Sequence, residues 1–225
     1  MKYIAVGILF VMTSFMSFAQ NEITKSLGDF SEVKAFDGIS VKLIRSDENK
    51  AVIKGKNRND VVIVNKDGKL KIKMDISESF DGYNTFVSIY HKSPIYIIDA
   101  NEQAFIENTE PFKVTELILK AQEGGEIDVY VDVERLEIKS VTGGQIDAHG
   151  TASTQGVNIR TGGEYHGRDL KTKQSYVRIS AGGEAVIFAT EYVDAEVKAG
   201  GDIDIHGSPK VIDKQTFLGG RIKEY

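Results

Sequence analysis

About once every nineteen residues, the second half of this chain places a polar side chain directly after two glycines: Glu126, Gln145, Glu164, Glu184, Asp202 and Arg221. Stacked in one column, these mostly acidic groups would offer hard oxygen ligands of the kind calcium prefers. Asp128, Asp147 and Asp204 could add oxygens on the same outer face. Like charges ~4.8 Å apart, the spacing of neighbouring strands, repel by about 1 kcal/mol in water. The column therefore invites either a divalent cation or a basic neighbour, for which Lys120, Lys139, Arg160 and Lys198 are the candidates. Calcium-binding β-rolls, however, use a nonapeptide with a third glycine, Gly-Gly-x-Gly-x-Asp, which none of these segments has. The simpler reading of Glu126, Glu164, Glu184 and Asp202 is a solvated charged face, with calcium as its rival.

His149, His166 and His206 each precede a glycine. His149 and His206 share one phase of the pattern but sit three repeats apart, roughly 14 Å at the strand spacing, and His166 is out of phase with both. They cannot converge on one zinc, whose bonds to nitrogen are about 2 Å long, and read instead as surface or turn histidines. A hydrolase would need an activated nucleophile or paired carboxylates across a cleft. The chain has no Gly-x-Ser-x-Gly elbow. Ser77 to Asn84 is the one loop long enough to build a cleft wall. Its Phe80 and Tyr83 suit either stacking on a sugar or partner, or packing over the core. No catalytic, cofactor-binding or metal-binding residue is assigned, and no cofactor is expected.

The elements that carry these groups follow from the repeat. Glycine pairs occur at 124–125, 143–144, 162–163, 182–183, 200–201 and 219–220, with intervals of 19, 19, 20, 18 and 19 residues. After each pair, apolar and polar residues alternate, the period-two signature of a strand with one buried face. Before each pair lies a second such run, as in Leu136-Glu137-Ile138-Lys139. Nineteen residues are too few for a strand–helix–strand unit, which takes about thirty, but they suffice for one circuit of a flattened β-solenoid. This predicts one interior file of Ile127, Ile146, Tyr165, Ala185, Ile203 and Ile222, and a second of Val129, Ala148, Gly167, Ile187 and Ile205. The facing sheet is expected to supply a file of Leu119, Ile138, Ile159, Ile179 and Val197, with a second turn near Gly150–Ser153. An antiparallel meander would explain the alternation but not the recurrence of one corner every nineteen residues.

The fold class is therefore all-β: a parallel β-helix-like solenoid with two short strands per rung. Residues 116–225 form the regular rungs and 30–115 an irregular β-rich section, which includes an Asp67-Gly68 hairpin signal. Composition agrees. The 225 residues contain no cysteine, which excludes disulfides and thiolate metal sites, and the net charge of −5 argues against nucleic acid as partner. Met1-Lys2-Tyr3 precedes an apolar run, Ile4 to Phe18, too short for the roughly 18 or more residues of a membrane span, and Ser17-Phe18-Ala19 provides a cleavage site. Residues 1–19 read as a signal peptide and 20–225 as one exported domain with no transmembrane segment, held in the periplasm, on the outer-membrane surface or outside the cell.

The opening Phe30-Ser-Glu-Val33-Lys-Ala-Phe36-Asp-Gly38-Ile-Ser-Val41 and the serial Gly-Gly-x-apolar-x-apolar rungs resemble the family described as "putative auto-transporter adhesin, head GIN domain", common in exported proteins of Bacteroidetes. The resemblance covers Phe30 to Tyr225. It implies a β-helix-like fold and a role in adhesion or at the cell surface, and it carries over no catalytic residue. The expected function is a non-enzymatic interaction module at the envelope, with a surface glycan or protein as partner. Self-association through the unpaired edge of the last rung is a further expectation. The alternative is a carbohydrate-active enzyme, a polysaccharide lyase or hydrolase built on a parallel β-helix.

Overall fold

A computed structural model describes residues 22–78 and 81–225, so the proposed signal peptide and Phe80 lie outside the described residues. In the first half the strands are β1 (Ile23–Ser26), β2 (Glu32–Ala35), β3 (Ser40–Arg45), β4 (Lys50–Gly55), β5 (Val61–Lys66), β6 (Lys69–Met74), β7 (Thr85–His91), β8 (Ile97–Asn101) and β9 (Phe105–Asn108). The second half contains β10 (Glu116–Gln122), β11 (Glu126–Val141), β12 (Gln145–Arg160), β13 (Glu164–Ser180) and β14 (Glu184–Ala199). It closes with β15 (Asp202–His206), β16 (Val211–Leu218) and β17 (Arg221–Glu224).

These strands stack as a β-solenoid with two facing sheets. One sheet runs β6, β2, β8, β10, the C-terminal parts of β11 to β14, then β16, all in parallel. The other runs β7, β3, β9, the N-terminal parts of β11 to β14, then β15 and β17. Ile127, Ile146, Tyr165, Ala185, Ile203 and Ile222 share one interior file, as the repeat predicts.

The first corner is set by the glycine pair. In the rung that ends at Gly144, Thr142 and Gly143 both take positive φ (51° and 70°) and Gly144 N–H donates to Val141 O at 3.0 Å, a tight turn of the mirror-image type I class. Gly144 itself is required for a different reason, since a Cβ there would lie 2.3 Å from Ala121 O in the rung below. The second corner needs no such turn. In β11, Ile127, Val129, Val131 and Val133 point inward, Glu134 and Arg135 both point outward, and Leu136, Ile138 and Ser140 point inward again. Two successive outward residues bend the strand without breaking its ladder. The two short strands expected per rung are thus one strand of 16 or 17 residues in β11 to β14. The expected turn at Gly150–Ser153 is a bend inside β12.

Residues 30–115 hold rungs of the same stack in a different order. The β2–β3 rung lies between β6–β7 and β8–β9, because the chain doubles back through β4 and β5 before resuming. Antiparallel β4 covers β7, β1 covers β4, and β5 covers β6 through the predicted Asp67-Gly68 hairpin, so antiparallel strands close this end. Tyr83, from the loop before β7, lays its ring against Gly38 at the first corner.

One predicted file is corrected. Leu119 and Ile138 align with Val157, Val177 and Ala195, whereas Ile159, Ile179 and Val197 align with Ala121 and Ser140. The two-residue slip arises because the file of Leu117 and Leu136 continues as Gln155 and Ser175. Polar residues at buried positions disguised the register. They are there to serve Tyr165, whose ring fills the interior. Its hydroxyl donates to Gln155 Oε1 at 2.7 Å, Gln155 Nε2 donates to Ser175 Oγ at 2.8 Å, and Thr172 joins the cluster. Gly167 makes the space, since a Cβ there would meet the Tyr165 hydroxyl at 2.3 Å. Burial drives the Tyr165 pKa upward, which keeps this hydroxyl a donor.

The last rung departs from the others. Interior positions held by Ala195, Val197 and Ile205 are taken by Lys214, Thr216 and Glu224. Lys214 Nζ donates to Glu224 Oε1 across the open end. Inward-pointing charges at a sheet edge discourage a further strand from docking. They work against the self-association expected from the free edge.

Two outcomes test this account. Gly144→Ala should cost about 1–3 kcal/mol, as overpacking against fixed backbone does. Gly143→Asn, with open space around it and a residue that tolerates positive φ, should stay within about 1 kcal/mol. Urea unfolding midpoints rank the two, and the reverse order would remove the steric argument. Tyr165→Phe leaves the buried Gln155 Oε1 without its donor and should cost about 1–3 kcal/mol despite deleting one atom. A neutral result in the same assay would mean that water or another group satisfies the amide.

Candidate functional site

The residues that opened the sequence analysis do share faces. Glu126, Gln145, Glu164, Glu184, Asp202 and Arg221 form one outward file on the second sheet, beside a file of Asp128, Asp147, His166, Val186, Asp204 and Lys223. Three of these carboxylates have a basic or imidazole neighbour. Arg221 grips Asp202 with two bonds of 2.8 and 2.7 Å, His166 Nδ1 lies 3.1 Å from Asp147 Oδ1, and His149 Nε2 lies 3.1 Å from Asp128 Oδ1. The arginine bonds hold Asp202 below the usual carboxylate range. Lys120 and Lys139 do not take part. They stand in a file on the opposite sheet, because the run before each glycine pair faces away from the run after it. Among the described residues, no group of three or more histidines or carboxylates is placed to hold a metal ion.

The same sheets display aromatic rings. Tyr130, 52% exposed, packs against His149 with centroids 5.1 Å apart, and His206 stacks on Tyr225 at 4.9 Å. On the other sheet Tyr176, 42% exposed, lies 5.8 Å from Tyr192. The Tyr192 hydroxyl donates to Asp213 at 2.7 Å, which pushes its pKa up to about 12.

A further concavity lies elsewhere, at the second corner of the N-terminal rungs. There the two-residue bend is replaced by the longer connections 92–96 and 109–115, which carry Pro94 and Pro111. They hold the sheets apart around a cavity of about 610 Å³. Leu43, Ile95, Phe112 and Val114 line its apolar part, and Arg45, Glu110 and Lys113 its charged part. The last inward residues of β7 and β9 are polar and buried, namely His91 and Asn108. Asn108 is fully used: Nδ2 donates to Glu110 O and Tyr130 O at 2.8 and 2.9 Å, and Oδ1 accepts from Tyr130 N–H at 2.9 Å. His91 is only 5% exposed, and its Nδ1 donates to Ser93 O at 2.9 Å. Its Nε2 has no hydrogen-bond partner among the described residues. Burial, with a smaller effect from Arg45, pulls the His91 pKa below its ordinary value.

Sequence reasoning singled out three histidines by their glycine neighbours and passed over this fourth one. The available signal was Pro94 and Pro111 flanking Ile95, Phe112 and Val114, where alternation ends on His91 and Asn108. A second feature it did not find is Glu102 beside Asp37 and Glu123 at the first corner. Burial and the two neighbouring carboxylates raise the pKa of Glu102.

Comparison with known proteins gives one picture. The family model described as "Putative auto-transporter adhesin, head GIN domain" matches residues 29–209. No curated protein is a significant match. Among solved structures, one named as a putative adhesin from Bacteroides fragilis superposes with a TM-score of 0.82 at 19% identity, covering 92% of this chain and 98% of its own. A second, named as a putative adhesin from Parabacteroides merdae, has a TM-score of 0.70 at 18% identity over 91% and 95% of the two chains. A third, from Parabacteroides distasonis, is named as a putative lipid binding protein and has a TM-score of 0.67 at 19% identity over 92% and 98%. At these identities the likeness is one of fold.

The buried imidazole gives the cavity a pH signature. With a folded-state pKa below its unfolded value near 6.5, His91 binds fewer protons folded than unfolded. Stability should therefore fall as pH drops through and below that value, with His206, also shifted down, adding the same sign. His91→Gln should flatten part of the slope in urea midpoints measured from pH 7.5 to about pH 5. An unchanged slope would show that the ring titrates freely.

Proposed function

Because the chain belongs to the putative auto-transporter adhesin, head GIN domain family, we propose that it is an exported, non-enzymatic binding module of the cell envelope. It holds a surface glycan or a protein partner against its stacked rungs. The observation that carries this reading is the pairing of exposed rings on both outer faces, Tyr130 with His149 and Tyr176 with Tyr192. An aromatic ring fixed on a flat ladder presents apolar area and a polar tip at little entropic cost, which suits recognition of sugars and proteins. The rungs add support, since their interior is filled with packed side chains and their chemistry is displayed outward.

Export is supported by the character of residues 1–19, with one basic residue, an apolar run and a small-residue cleavage site. No helix among the described residues is long and apolar enough to cross a membrane. Without cysteine, stability outside the cytoplasm rests on the ladders and the packed interior alone. Surface proteolysis of intact cells distinguishes a periplasmic position from an external one.

Beads coated with the chain from Gln20 onward should bind an immobilised glycan or an envelope preparation. Tyr130→Ser combined with Tyr176→Ser should weaken that binding at least about tenfold without shifting the unfolding midpoint. Absence of binding on glycan and protein arrays, together with turnover of a polysaccharide by the unmodified chain, would replace the module with an enzyme.

A further inference from the structure

We infer that the cavity at the second corner of the N-terminal rungs is a binding site for a small hydroxylated carboxylate, an acidic sugar residue. This deepens the reading of the chain as a binding module and rests on it. The volume of about 610 Å³ lies within the usual range of ligand pockets, about 300–1,000 Å³.

Three features select the ligand. Arg45 lines the cavity and has neither an ion pair nor a hydrogen bond among the described residues. Its planar fork of donors matches a carboxylate, and Lys113 adds a second cation, held only loosely by Asp132 at 4.0 Å. The second feature is His91. Its Nδ1 proton goes to the Ser93 carbonyl, so in the neutral ring Nε2 keeps a lone pair that can accept from a ligand hydroxyl. Glu110, also without an ion pair among the described residues, can accept another. The third is the apolar wall of Pro94, Pro111 and Phe112, which suits the C–H face of a sugar ring.

A neutral sugar would leave Arg45 unanswered. A fatty acid anion would satisfy Arg45 but bring no hydroxyl to His91 or Glu110. Only a ligand that carries both groups uses the whole site. The surroundings are preorganised for it: Phe112 is clamped to β11 by hydrogen bonds to Tyr130 O and from Asp132 N–H, and Asn108 stitches the wall to the same strand.

Calorimetric titration tests this with the chain from Gln20 onward against glucuronate, galacturonate, N-acetylneuraminate, glucose and octanoate. At least one acidic sugar should bind about tenfold tighter than glucose, a difference of one hydrogen-bonded charge. Arg45→Gln, an exposed change whose fold is checked by its thermal midpoint, should bring that sugar to within about threefold of glucose. His91→Phe should weaken the acidic sugar while leaving octanoate unaffected. The proposal is overturned if no acidic sugar exceeds glucose, if the preference survives Arg45→Gln, or if octanoate binds tighter than the sugars. Bead adhesion that persists in Arg45→Gln while acidic sugars fail to bind sinks this site and leaves the module standing. Loss of all adhesion by the unmodified chain sinks the module itself.

Discussion

From β8–β9 onward each rung lies directly on the one before it, and at the second glycine of each pair the distance between rungs leaves no room for a side chain. A Cβ at Gly125 would meet Ala100 O at 2.3 Å, at Gly163 Ser140 Oγ at 2.5 Å, and at Gly183 Gly163 O at 2.5 Å. This close approach pins the register. Once the corner is fixed, the residues that follow it are placed over set counterparts, and a one-residue slip there would turn the inner face outward. Apolar residues then stack on apolar residues through most of the interior. The outward files of carboxylates, imidazoles and rings are a by-product of the same alignment.

That constraint explains what could be read from the sequence. The glycine pairs reveal the period, the period fixes the rung length, and alternation gives the inner face, so the file from Ile127 to Ile222 follows directly. The acidic file follows as well, since it is counted from the same corner. Reading falters where a buried position is polar. Gln155 and Ser175 made the neighbouring Val-x-Ile pairs look like the start of the rung, which shifted one file by two residues. Nothing local marks Gln155 as buried; its reason is the hydroxyl of Tyr165, ten residues away. Likewise, Lys120 and Lys139 could be assigned to the acidic file only by overlooking that the two runs of a rung face opposite sides.

The N-terminal rungs were harder to read for a topological reason. Their order in space differs from their order in the chain, so no fixed period connects β2–β3 to β6–β7 above or below it. What the exchange achieves is closure. The doubling back through β4 and β5 lays antiparallel strands over an end that would otherwise expose both ladders. The opposite end uses charge instead, with Lys214 and Glu224 facing inward where Ala195 and Ile205 stand one rung earlier. A solenoid needs ends unlike its middle, and here the two ends reach that by different means.

The two corners also divide the work. The first is committed to a turn with positive φ and to backbone contact between rungs, and neither leaves freedom for other side chains. The second asks only that two consecutive residues face outward, as Glu134 and Arg135 do, and nothing steric prevents it from growing. Growth is what is seen there. In β14 the corner takes three outward residues, Thr190, Glu191 and Tyr192, and the connections 92–96 and 109–115 lengthen until the sheets part. Where they part, the inward alternation of β3 and β7 runs on past the packed layer of Leu43, Ile89 and Asn108, so Arg45 and His91 arrive at an opening instead of a core. A cavity lined by charged and hydrogen-bonding groups therefore arises at this corner from an ordinary strand pattern carried two residues beyond the last packed layer.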